Sequence, residues 1–141
     1  FKNLRKQLGY DSFKKMFEIV LTDNGWEFSK PDDIEFDYNT GEKVINIFYC
    51  NPYSSWEKDG IERNHEFIRY IIPKGITFDR LTNKNIIDMM NSINNVKRKS
   101  LEYKTPYELF KNIYGEDCTK KLHLTHIKHD EVNLSYKLLT K

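Results

Sequence analysis

Strand-forming capacity in this chain is confined to two short runs. Phe17-Glu18-Ile19-Val20-Leu21-Thr22 and the segment from Val44 to Cys50 carry β-branched and aromatic residues at strand length. The first run ends directly on Asp23-Asn24-Gly25, a turn signal, and Asn39-Thr40-Gly41 marks a second turn ahead of the other run. The remaining periodicity is helical. Residues 1–16 are basic and polar, with Leu4, Leu8, Phe13 and Phe17 spaced for a helix interrupted near Gly9. Pro31 to Phe36 predicts a short helix that starts near Ser29 or Pro31. Glu57 to Ile72, with Ile61, Ile68, Ile71 and Ile72, predicts a longer one stopped by Pro73 and Gly75. Thr82 caps a further helix with an apolar stripe of Ile86, Ile87, Met90 and Ile93. Thr105-Pro106 opens a last helix that ends at Gly115. Asn51 to Trp56 reads as a loop, and Lys97-Arg98-Lys99-Ser100 as a basic break.

The 141 residues suffice for one hydrophobic core, and 38% hydrophobic with 31% charged residues describes a globular chain. The net charge of +2 does not of itself argue for nucleic acid, so any DNA contact must come from local basic clusters. Cys50 and Cys118 form no CxxC pattern, which favours a reduced intracellular protein. No apolar run nears the roughly 20 residues that span a bilayer, and no signal peptide is visible. The first residue is Phe1, so a processed chain or a piece of a longer one is expected.

A carboxylate at a strand end, ahead of a tight turn, is well placed to hold a metal, and Asp23 sits there. On the expected helix Glu62, Glu66 and Arg69 fall at i, i+4 and i+7 and share a face, with His65 at its edge. Pattern alone favours a solvated helix face with a Glu–Arg pair, because charged faces are common.

The motif order adds more. Leu21-Thr22-Asp23-Asn24-Gly25-Trp26-Glu27-Phe28 resembles the second-aspartate motif of retroviral-integrase-like transposases. Asn51-Pro52-Tyr53-Ser54-Ser55-Trp56-Glu57-Lys58 resembles their loop ahead of the catalytic glutamate helix. Phe67-Ile68-Arg69, then Ile72-Pro73-Lys74-Gly75, and the closing Lys99 to Phe110 resemble the insertion-sequence-thirty family of bacterial transposases. The resemblance runs from about residue 13 to 111, with a fainter echo at Asp130 to Leu134. It implies an α/β fold: part of an RNase H-like mixed sheet with flanking helices, lacking the first strands. The catalytic-core part would occupy 1–114, and a polar, irregular tail 115–141.

By the same resemblance Asp23 and Glu62 are two of three catalytic, metal-binding carboxylates, served by Mg²⁺ or Mn²⁺. Glu66 competes with Glu62, and counting back from Phe67-Ile68-Arg69 favours Glu62. The family's asparagines on either side of that glutamate are Ile61 and Arg63 here, and another is His65. The Asp23–Glu62 spacing is a few residues long for the family, a surplus that fits the turn from Tyr38 to Lys43. The expected DNA contacts are Asn24, Trp56, Arg69, Lys74, Lys97, Arg98 and Lys99, on element ends and target. Core packing competes for Trp56, and a solvated loop for the lysines.

The family's first aspartate has no place in residues 1–22, where Asp11 is the only candidate and three strands cannot fit before Asp23. The chain alone is therefore expected to be inactive, with an unpaired sheet edge, and the full-length protein to be a cytoplasmic, nucleoid-associated homo-oligomer. The rival reading is a non-catalytic DNA-binding or assembly remnant of a mobile element. An RNase H-type nuclease is disfavoured by the Pro-Lys-Gly and Thr-Pro-Tyr segments. His123, His126 and His129 with Cys118 fit no zinc spacing.

Overall fold

The computed structural model describes residues 1–23, 25–51 and 59–140, with the side chains of 59–62 outside the description. The chain divides into two compact units, Phe1–Lys58 and Asp59–Lys141.

In the first unit, α1 (Lys2–Leu8) and α2 (Tyr10–Met16) are separated by Gly9, whose φ of 84° is readily open to glycine alone. The break turns Leu8 and Phe13 into the interior, where both are buried. Phe13 packs on Phe17, with ring centroids 4.9 Å apart, and the Arg5 guanidinium lies 5.1 Å from the centre of its ring. Arg5 also donates to the Asp37 carboxylate at 3.0 Å and to the Ile34 carbonyl at 3.2 Å, tying α1 to the distant turn.

Strand β1 (Ile19–Thr22) pairs in parallel with β2 (Asn46–Tyr49), Ile19 opposite Asn46 and Thr22 opposite Tyr49. Parallel neighbours need a crossover. Here residues 23–45 supply it, with a 3-10 turn at Trp26–Phe28 and the single-turn helix α3 (Asp32–Glu35). Glu35 sets the return: its buried carboxylate accepts the Ile47 N–H at 2.7 Å and pairs with Lys43 at 3.2 Å. Among the described residues the sheet has these two strands. The antiparallel members of the mixed sheet implied by the resemblance are not among them.

The second unit is helical: α4 (Asp59–Ile71), α5 (Asn83–Asn94) and α6 (Pro106–Lys121). Thr82 and Asn85 form a reciprocal capping box on α5, and Thr105 and Glu108 another on α6, where Pro106 takes the first helical position. Ile71, Ile72, Met89 and Ile93 form the core, flanked by Phe67, Ile68, Leu81 and Met90. The stripe on α5 is rotated from the expected one, for Met89 and Ile93 are buried while Ile86 and Ile87 stay at the surface.

Gly115, at φ 81° and ψ 175°, interrupts α6, as expected, and a second helical stretch follows through Cys118 and Thr119, both buried. The segment after it is not a loose tail. Leu134, Leu138 and Leu139 pack on the core. Two buried asparagines hold the extended stretch before them. Asn91 donates to the His123 carbonyl at 3.0 Å and accepts the Thr125 N–H at 3.0 Å; Asn95 donates to the Thr125 carbonyl at 2.9 Å and accepts the Ile127 N–H at 3.0 Å. Asn91 and Asn95 are one turn apart, about 6 Å along the axis, which matches two residues of extended chain.

Candidate active site

Asp23 directly follows β1, as the sequence predicts, and is exposed. Strand pairing extends to its threshold: Thr22 is buried, and its carbonyl accepts the Cys50 N–H at 2.8 Å. The backbone entering Asp23 is thus held by the sheet while its carboxylate reaches solvent. Beyond it, Gly25 leaves space that the Glu27 carboxylate occupies, since a Cβ there would stand 2.6 Å from a Glu27 oxygen.

Glu62 falls in the first half of α4, within one continuous helix, so positions 62, 66 and 69 do share a face. Glu66, Arg69 and His65 are exposed. Asn24 and Trp56 lie outside the described residues, as does the Glu62 side chain. Lys74 is exposed in the turn after α4.

The basic run between α5 and α6 is not uniform. Lys97 and Lys99 are exposed, whereas Arg98 is half-buried and donates to the Asn64 side-chain oxygen at 2.9 Å. Burial, and then the nearby Arg63 charge, lower the Arg98 pKa from its ordinary value. The Thr105 N–H, donating at 2.8 Å, is the main reason that the Glu108 carboxyl lies below the usual glutamate value; Lys97 and His126 add smaller contributions. His123, His126, His129 and Cys118 do not assemble, and no cluster of three metal-ligating side chains occurs among the described residues.

Sequence reasoning passed over Trp26. It is 86% exposed, on the turn that follows Asp23 and Gly25. An indole left in water beside a candidate site was signalled only by its place in the second-aspartate motif.

These geometries can be set beside known proteins. The chain is 39% identical over 105 residues to the transposase for insertion sequence element IS4351 of Bacteroides fragilis, a match covering 74% of this chain and 30% of the relative. It is 32% identical over 87 residues to transposase InsI for insertion sequence element IS30A of Escherichia coli strain K12, covering 62% of this chain and 21% of the relative. A putative integrase of Spiroplasma virus SpV1-R8A2 B is 30% identical over 91 residues, covering 64% of this chain and 27% of the relative. No family model and no solved structure matches. The chain is therefore a homologue of part of an insertion-sequence transposase. Its relatives of that kind include the transposases of the IS4351 and IS30 elements, of whose length it spans 30% and 21%. Among the described residues no helix is long and apolar enough to cross a membrane.

Proposed function

We propose that this chain is part of a transposase that cuts DNA at element ends and joins the 3′-hydroxyl to a target, and that Asp23 and Glu62 are two of its catalytic carboxylates. The similarity to the IS4351 transposase carries this reading. Two placements support it: Asp23 at the mouth of β1 and Glu62 on the continuous helix α4. The parallel β1–β2 pair with its helical crossover is compatible with part of an RNase H-like sheet.

An exposed carboxylate on a fixed strand end is the hard oxygen donor that Mg²⁺ or Mn²⁺ takes, and Glu62 would supply the second. Divalent ions held there would supply activation of the attacking oxygen and stabilisation of the leaving one. The protein's own part is to fix the ligands and the DNA. Arg69, Lys74, Lys97 and Lys99, all exposed, suit phosphate contacts, and the open Trp26 ring suits an unpaired base. Element ends and target DNA are the partners, with a homo-oligomeric, nucleoid-associated full-length protein.

Mn²⁺ titration of the chain tests the carboxylates. D23N and E62Q are each expected to lose at least tenfold in affinity; unchanged affinity in both variants sinks the assignment. With two of three carboxylates, the chain alone is expected to be silent in strand transfer on end-labelled DNA, and product formation would refute that.

A further inference from the structure

The basic run Lys97-Arg98-Lys99 sends its two lysines to solvent and its arginine inward. Arg98 meets α4 at two positions on one side. Its Nη2 donates to Asn64 Oδ1 at 2.9 Å, and its guanidinium carbon stands 5.4 Å from the centre of the Phe67 ring. Asn64 and Phe67 are one turn apart, so the fork and the cation–π contact grip the same strip of helix. The Arg98 Nε–H is buried and has no partner among the described residues, so the side chain bears a desolvation cost to stay there.

Its own backbone is fixed as tightly. The Arg98 N–H donates to the Lys104 carbonyl at 3.1 Å, and its carbonyl accepts from Leu101 and Tyr103, each at 3.0 Å. The loop closes only because Glu102 and Tyr103 take left-handed φ values of 53° and 61°, a strained conformation for non-glycine residues. A strained loop and a desolvated guanidinium thus converge on one helix. Position 62 stands about 200° round the axis of α4 from position 64. A grip at Asn64 therefore holds the helix from behind the strip that carries Glu62.

We infer that Arg98 is a positioning residue, which fixes the rotation of α4 through Asn64 and Phe67 and with it the direction of the helix face that carries position 62. The inference rests on the reading of Glu62 as a metal ligand, and it takes Arg98 out of the set of phosphate contacts. Arginine is required because lysine keeps the charge but lacks the planar fork.

The test uses the whole chain and two readouts. In R98K the amides from Arg63 to Phe67 are expected to exchange about tenfold faster, the scale of one hydrogen bond to a charged group, while the Ile93 amide keeps its protection. Mn²⁺-induced broadening at Glu62 should need about tenfold more metal. N64D retains the acceptor and makes the bond charge-assisted, so it should keep both signals at wild-type level; N64L should lose both, as R98K does. Wild-type exchange of α4 in R98K and N64L overturns the inference, as does an N64D variant as loose as N64L. If the wild-type chain shows no Mn²⁺ effect at Glu62 but R98K still loosens α4, the ligand reading fails and the grip stands.

Discussion

The first unit buries Leu8, Phe13, Val44 and Ile45 and leaves much of its sheet open: Ile19 is 66% exposed and Phe48 55%. The second closes its core with its own chain, since Leu134, Leu138 and Leu139 return onto Ile71, Ile72, Met89 and Ile93. Parallel strands are ordinarily covered on both faces. The two proposed ligands thus stand on different footings. Asp23 leaves a half-open sheet whose unit is tied by polar contacts from Arg5 to Asp37 and from Glu35 to Ile47. Glu62 rides a helix whose far end is locked in an apolar cluster. A carboxylate can be presented by either means; in the second unit the apolar cluster of Ile71, Ile72, Met89 and Ile93 anchors the element that presents it.

Substitutions in the two units sharpen or break this contrast. The largest effect is expected for Ile93→Ala, which should cost the second unit about 2–5 kcal/mol in urea titration and leave amide exchange of β1 unchanged; a parallel loss in β1 would show that the units are not energetically separate. Asn95→Leu should cost about 2–3 kcal/mol, because it leaves the Thr125 carbonyl and the Ile127 N–H unsatisfied. Limited proteolysis should then cut after Leu122, and an intact tail would argue against the asparagine grip. Thr105→Ala should cost about 1 kcal/mol.

The same capping box gives a pH dependence. The Glu108 carboxyl lies below its ordinary value in the folded chain, so its contribution is complete above that value and is lost as pH falls through the lowered one. E108Q should flatten the acid limb of the α6 melting profile. Asp37, held low by the Asn39 and Thr40 N–H groups and by Arg5, should impose the same sign on the first unit. The smallest change in stability is expected for Phe48→Lys, within about 0.5 kcal/mol, yet light scattering should show less self-association because an apolar side chain leaves the open sheet.

Legibility in the sequence followed the range of the interaction. The break at Gly9, the strand run before Asp23 and the caps at Thr82 and Thr105 are set by neighbours a few residues away, and each was readable. The break at Gly115 was equally readable; the helical stretch that resumes beyond it, where Cys118 and Thr119 are buried, was not. The inward turn of Arg98 depends on Asn64, and the fate of the tail on Asn91 and Asn95, partners more than two dozen residues away that no local pattern announces. The polar look of 116–141 hid leucines that are spaced for packing only once the tail has doubled back.

The asparagine pair has a consequence for how this chain can change over time. Asn91 and Asn95 hold Thr125 by its N–H and its carbonyl, and its side chain is exposed. Natural variation at position 125 should therefore be wide, with almost any residue accepted and proline refused for want of its N–H, while the two asparagines themselves stay unexchangeable.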